Sequence, residues 1–206
     1  MSSAPLVPGP LYGLRTWRVV TDDGRERLSA PQRGTPWTLG AGWLEAACGE
    51  GHPAPAADCL CGIHAWHPRP AFARRILRSR FDLPGIVEAD GAVEVHEDGF
   101  RAERARPYAF IRLPGRNPFV IDRLAATYGA EVLDLRRPEE LLAVCRERGL
   151  GLQERVVEEL LGAEALAEGR RARARQRRTD ALRVVAALLI VALACVVALA
   201  MGASGS

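Results

Sequence analysis

Residues 31–71 form a long stretch that is rich in proline and glycine and has no sustained helical or strand period. Loops longer than about 15 residues are uncommon inside a compact domain unless they have a function or another source of order. Within this stretch, residues 42–68 read GWLEAACGEGHPAPAADCLCGIHAWHP and hold three of the five cysteines and three of the four histidines. These are metal-binding side chains, so we expect an ion rather than apolar packing to order the segment.

The cysteines follow a C-x10-C-x-C pattern, and a histidine lies between the first two of them. Zinc favours four tetrahedral ligands drawn from thiolates and imidazoles, and its binding to such a loop contributes folding free energy. The predicted zinc ligands are Cys48, His52, Cys59 and Cys61. His64 is the alternative fourth ligand, because Gly62 permits a tight turn. Four protein ligands indicate a structural site, whereas three ligands and a water indicate a catalytic site.

Three other interpretations of these cysteines stay open. The thiols can be buried and reduced without a metal. A disulfide is disfavoured by the reducing compartment predicted below, and Cys59 and Cys61 are poorly spaced to bridge each other. An iron–sulfur cluster needs a fourth ligand, and Cys145 lies far away in sequence. We assign no role to Cys145, on the predicted apolar face of a helix, or to Cys195, in the apolar C-terminal segment.

The C-terminal segment 184–201, VVAALLIVALACVVALAM, has 18 residues without a charge. At about 1.5 Å per residue it spans about 27 Å, close to the roughly 30 Å hydrocarbon core of a bilayer. We therefore predict a transmembrane helix over residues 181–203. Seven arginines precede the segment and none follows it. The positive-inside rule then predicts a tail-anchored, single-pass protein of the cell membrane with a cytoplasmic N-terminal domain.

The net charge of +3 comes from one short run and not from the whole chain. Residues 170–183 hold seven of the 28 arginines, whereas residues 1–169 hold 21 arginines and 24 acidic residues. A slightly acidic body argues against a nucleic-acid-binding domain. The arginine run is expected at the anionic inner leaflet, either as a topology signal or as a lipid-binding element.

Local patterns predict two hairpins followed by a helical part. Alternating residues around the DDG turn at 22–24 and around the EDG turn at 97–99 are typical of antiparallel strands. A short helix is expected over 69–81. After Pro114 the pattern becomes helix–strand–helix, and Phe119, Val120, Leu124 and Tyr128 form the apolar side of the first of these helices.

The hydrophobic residues, 48% of the chain, suffice for one core. The predicted fold class is α+β: a small antiparallel sheet with a Cys/His-rich loop, then helix–strand–helix, and one C-terminal transmembrane helix. The predicted organisation is a disordered N-terminus (1–10), a cytoplasmic α+β domain (11–150), an arginine-rich helical neck (151–180) and the transmembrane helix (181–203). The neck begins with an apolar stripe that packs on the body or mediates self-association.

Three segments, LYGLRTWRV, CLCGIHAW and GAVEVHEDGFRAERARPYA, resemble segments of uncharacterised actinobacterial proteins. In those proteins the middle segment often reads C-x-C-G-I-Y-A. The resemblance covers roughly residues 11–113 and implies a folded module, but it brings no activity with it. Because His64 stands where that pattern has tyrosine, the resemblance favours His52 as the fourth ligand.

The chain has no G-x-G-x-x-G, P-loop or G-x-S-x-G motif, so no enzyme class is indicated. The predicted function is a tail-anchored membrane protein whose zinc-stabilised cytoplasmic domain serves as a binding or scaffolding module. One alternative is a membrane-tethered metalloenzyme or thiol enzyme, and another is a metal-free regulator at a lipid surface. The expected partners are the bilayer and an unidentified protein, with homo-oligomerisation as an option and without nucleic acid.

Overall fold

The computed structural model describes residues 10–31, 34–56, 58–79, 82–162 and 166–167. The chain divides into two units between Leu161 and Gly162, and the first unit holds almost all of the described residues. The first nine residues, the arginine run and the predicted membrane span therefore lie outside the described residues.

Strands and helices alternate irregularly along the first unit. The strands are β1 (Leu11–Asp22), β2 (Arg25–Ser29), β3 (Leu44–Glu45), β4 (Ile63–Trp66), β5 (Asp82–Val95), β6 (Gly99–Arg112) and β7 (Glu131–Asp134). The helices are α1 (Pro70–Arg78), α2 (Pro118–Tyr128), α3 (Pro138–Glu147) and α4 (Glu154–Leu161). Each segment predicted from the turn and helix signals is present, and β3 and β4 are additional strands within the stretch 31–71.

The first hairpin depends on a two-residue turn with positive φ. Asp23 and Gly24 have φ values of 48° and 72°, which a tight turn matching the strand twist requires at both central positions. Aspartate and glycine are among the few residues that adopt this conformation at low cost. The DDG sequence therefore determines how β1 returns as β2.

The sheet is built on the pairing of β5 with β6, which continues through two register shifts. The other edge of β5 pairs with β1, while β6 pairs with β4. A pairing of Leu14 with Trp66 joins β1 to β4. These four strands thus close a ring of pairings, to which β2 is added on β1, and β3 and β7 on β6.

The core has two parts, one on each face of the sheet. In the first part, Trp17 and Phe110 meet edge to face at a ring-centroid distance of 5.5 Å, and Phe110 meets Tyr128 of α2 at 6.5 Å. In the second part, Leu14 and neighbouring strand residues pack against α1 and α3. Val157 of α4 is fully buried in the first part, so the folded body continues past residue 150 to α4.

The predicted fold class is wrong in two respects, although the class α+β itself describes the domain. Over the described residues the sheet has seven strands. It is mixed, because the chain passes through α2 after β6 and returns as β7, parallel to β6. In addition, none of the helices in the described ranges is long and apolar enough to cross a membrane. The longest of them, α2, has 11 residues, whereas a spanning helix needs about 20.

The predicted apolar side of α2 is wrong at Phe119, whose exposed fraction is 73%. The buried positions are Ile121, Leu124, Ala125 and Tyr128, which follow the spacing i, i+3, i+4, i+7 of one helix face. Phe119 precedes the first of them by two residues, and a step of two residues places it on the opposite side of the helix.

Gly85 tests how closely β5 and β6 are packed, because a methyl group there would collide with the Ala109 carbonyl and lie 2.8 Å from the Trp17 ring. Gly85→Ala is expected to lower the free energy of unfolding by about 3 kcal/mol, the upper end of typical overpacking costs. Urea denaturation followed by tryptophan fluorescence measures the effect. Gly42→Ala is the control, since a methyl group at Gly42 meets no atom within 4 Å. Equal stability of the two variants would contradict the packing described here.

Candidate metal centre

Four side chains from the proline- and glycine-rich stretch converge on one point. The ligand atoms of Cys48, His52, Cys59 and Cys61 all lie within 4.8 Å of one another. The Cys48 Sγ lies 3.3 Å from His52 Nε2 and 3.7 Å from Cys59 Sγ. A tetrahedral zinc with bonds of about 2.3 Å has ligand atoms about 3.8 Å apart. The group can therefore hold one metal ion.

The segment that carries this group has little apolar surface of its own. Among the described residues of 46–62, only Ala54 and Cys61 are buried. Turns shape the backbone instead: Gly51 has a φ of 76° and donates its amide to the Cys48 carbonyl at 3.2 Å. Order in this segment therefore comes from hydrogen bonds and side-chain clustering rather than from hydrophobic burial.

Glycine is required at position 62, directly after the last cysteine of the group. Gly62 has a φ of 112°, a conformation that side chains disfavour. A methyl group there would lie 3.1 Å from the Arg101 Cβ and 3.2 Å from the Pro55 Cβ. The glycine thus lets Cys61 lie close to β6 as the chain enters β4.

Backbone amides contribute to the environment of the cysteines. The Glu50 amide lies 3.4 Å from the Cys48 Sγ. The Cys61 amide, followed by the Cys48 thiol, lowers the pKa of Cys59 to about 7. Burial raises the pKa of Cys61, and the Ala56 amide opposes that increase. Hydrogen bonds of this kind favour the thiolate, which is the form that binds a metal.

The histidine is oriented by its second ring nitrogen. His52 Nδ1 lies 2.9 Å from the Pro53 carbonyl, and a carbonyl only accepts, so Nδ1 carries the proton. This hydrogen bond is the main cause of the raised pKa of His52. Nε2 is left with its lone pair directed towards Cys48. Metal-binding histidines are commonly held by such a bond from the other nitrogen.

Sequence analysis missed Arg101, which links this group to the sheet. Arg101 lies on β6 with an exposed fraction of 4% and donates to the carbonyls of Cys61 and Ala56, each at 3.2 Å, and to that of Cys59. It also forms an ion pair with Glu94, its cross-strand partner on β5. The sequence signal for this pair is the opposite charge of Glu94, three residues before the EDG turn, and Arg101, two residues after it.

The remaining histidines lie outside the group of four. His64, the alternative ligand, has an exposed side chain whose Nε2 donates to the Leu60 carbonyl at 3.0 Å. His67 is fully buried, and its Nε2 donates to the His96 carbonyl at 2.9 Å. His96 Nε2 accepts from Arg101 Nε at 3.1 Å. The described cysteines, including the buried Cys145, are free thiols.

The surface of the described residues has two hollows that differ from the cysteine group in their lining. One, of about 390 Å³, lies between the β1–β2 turn and α2, near Leu39 and Arg123. The other, of about 360 Å³, lies near Tyr12, Glu88 and Arg106. No cysteine or histidine lines either hollow. Neither hollow therefore adjoins the group of metal-binding side chains.

Comparisons with protein families, with curated proteins and with solved structures give no match. The resemblance to actinobacterial proteins therefore stays a prediction. The interpretation of the site rests on its own geometry.

Stability is expected to decrease at mildly acidic pH because His67 is buried as the neutral ring. Burial lowers the pKa of His67 from 6.5 to about 4, although the hydrogen bond to the His96 carbonyl acts in the opposite direction. The buried Nδ1 of His67 has no hydrogen-bond partner among the described residues. The unfolded chain binds this proton more readily than the folded chain does. The stability associated with the neutral buried ring is therefore fully present above pH 6.5 and is lost as the pH falls towards 4. The loss is on the order of 3 kcal/mol.

Chemical denaturation of metal-free protein at pH 7 and at pH 5 measures this dependence. His67→Gln removes the titrating group, so its free energy of unfolding is expected to change less between the two pH values. His64→Gln is the control and is expected to keep the wild-type pH dependence. An unchanged pH dependence in His67→Gln would show that other groups cause the loss.

Proposed function

We propose that this domain is a zinc-stabilised binding or scaffolding module, in which the ion holds residues 48–61 in a fixed conformation. The observation that carries the proposal is the convergence of three thiols and one imidazole within 4.8 Å. Thiolates select soft or borderline metals over magnesium and calcium, and a tetrahedral sulfur and nitrogen set is characteristic of zinc. The Glu50 amide, which donates to the Cys48 sulfur, favours the thiolate that such a metal needs.

A binding role is favoured over catalysis by the number of ligands. Four protein ligands complete the coordination of zinc and leave no position for a water or a substrate. The cluster also lies away from the two hollows described above. A closed site of this kind stabilises a fold and presents the surrounding loop in one conformation for recognition. Membrane anchoring stays a prediction, because residues 181–203 lie outside the described residues.

Thiol chemistry is the second candidate function. Cys48 lies 3.3 Å from His52 Nε2, within reach for a thiol–imidazole pair, and the pKa of Cys59 is lowered to about 7. A thiolate near neutral pH is a nucleophile. In this alternative the same side chains act without a metal.

Zinc content distinguishes the two functions. The purified full-length chain is expected to hold one zinc per molecule by elemental analysis, and Cys48→Ser and Cys59→Ser are expected to lose it. Removal of zinc by a chelator is expected to lower the Tm of the wild type, because metal binding contributes to folding. His52→Gln is expected to weaken zinc binding, whereas His64→Gln is the matched control and should retain it.

The zinc proposal would be contradicted if the wild type is purified without bound metal. Rapid reaction of Cys59 with iodoacetamide at pH 7 in that protein would favour thiol chemistry. Equal loss of zinc in His52→Gln and His64→Gln would refute the ligand set. The binding role is tested by affinity capture with zinc-loaded wild type and with Cys59→Ser. Capture of the same proteins by both would contradict a role for the zinc-held loop.

A further inference from the structure

We propose that Arg101 is the positioning residue of the metal centre, and that it couples occupancy of the centre to the stability of the β5–β6 hairpin. This inference rests on the proposed zinc site. Arg101 touches none of the four ligand atoms in the hydrogen bonds described. It acts through the backbone that carries Cys59 and Cys61.

The hydrogen bonds of Arg101 use the whole guanidinium group. An arginine side chain has five N–H donors in a fixed planar arrangement. The Nε of Arg101 donates to His96, Nη1 donates to the carbonyls of Cys59 and Cys61, and Nη2 donates to the Ala56 carbonyl and to Glu94. These five hydrogen bonds match the five donors, so the buried cation is fully satisfied.

Three of those bonds converge on the segment from Ala56 to Cys61. The Ala56 carbonyl also accepts the Cys59 amide at 3.1 Å. The carbonyls of the two cysteines in C-x-C are thus both held by one guanidinium. Fixing these carbonyls restricts the direction in which both sulfurs project, which is how residues around a metal orient its ligands.

Charge gives a second reason for an arginine at this position. A zinc with three thiolates and a neutral imidazole has a net charge of about −1, so a nearby cation is favourable. Arg101 is compensated by Glu94, whose exposed fraction is 9%. A buried pair of this kind is costly to break, because removal of one partner leaves an uncompensated charge. Glu94 therefore holds the guanidinium in the position from which Arg101 bonds the loop carbonyls.

Arg104, on the same strand, shows which features are special to Arg101. It pairs with Asp90 across β5 and β6 in the same way that Arg101 pairs with Glu94. However, Arg104 is half-exposed and stacks on Trp43 at 5.5 Å from the ring centre, and its described hydrogen bond is to Asp90. It is therefore a matched control with the same strand, charge and cross-strand pair.

The experiment compares Arg101→Met with Arg104→Met in the full-length chain. Zinc affinity is measured by competition with a chromophoric chelator, and Tm is measured with and without zinc by tryptophan fluorescence. Arg101→Met is expected to bind zinc about 10- to 100-fold more weakly, the usual cost of losing a group that orients a metal ligand. Its zinc-dependent rise in Tm is expected to be smaller than that of the wild type, because a more weakly bound ion stabilises the folded state less. Arg104→Met is expected to retain both wild-type values.

A general loss of stability would lower the Tm of the zinc-free and zinc-bound forms together, so the zinc-dependent rise isolates the positioning role. Arg101→Lys keeps the buried charge and so tests the proposal even if Arg101→Met does not fold. Lysine cannot reproduce the planar set of donors, and its zinc affinity is expected to fall about tenfold. Wild-type affinity in Arg101→Lys would overturn the proposal.

The wild type separates failure of this inference from failure of the proposed function. If the wild type takes up no zinc, the zinc site and the role of Arg101 are both refuted. If the wild type binds zinc and Arg101→Met binds it equally well with the same rise in Tm, only the role of Arg101 is refuted. If Arg104→Met loses zinc as Arg101→Met does, the effect belongs to the hairpin and not to Arg101.

Discussion

The pairing of β5 with β6 is the constraint on which the rest of the domain depends. Each strand has 14 residues, and together they offer edges to β1, β3, β4 and β7. The close approach of Gly85 to the Ala109 backbone shows how tightly the two strands pack. Because Glu94 and Arg101 are opposite each other in this pairing, the same register that builds the sheet also prepares an anchor for the metal-binding loop.

The loop and the core are held by different physical interactions. The core follows ordinary apolar packing, with Trp17, Phe110 and Tyr128 in edge-to-face contact. The loop has few buried apolar side chains, and Leu60, between two of the cysteines, has an exposed fraction of 77%. Its order comes from turns, from an amide donor to sulfur, from the buried guanidinium and, in the proposed function, from one metal ion. Such a loop depends on its polar network to a greater extent than the core does.

Local structure was predictable because its signals are local. The DDG turn, the proline and glycine at the ends of α2, and the EDG turn each define an element boundary through backbone conformation. The parallel addition of β7 had no such signal, because strand order depends on which edge of β6 is open after the sheet has formed. Nor did the sequence predict β4, a four-residue strand whose pairing partners are distant in the chain.

The sequence alone determined the types of side chain in the candidate site, since three cysteines and a histidine within fourteen positions already favour a metal. Only the tertiary structure decided that His52, and not His64, lies with the sulfurs, because His64 is on a strand paired with β6 and directs its ring to the Leu60 carbonyl. It also decided the place of Arg101. No sequence pattern identifies an arginine that donates to three distant carbonyls, because these partners come together only when the loop folds onto the sheet.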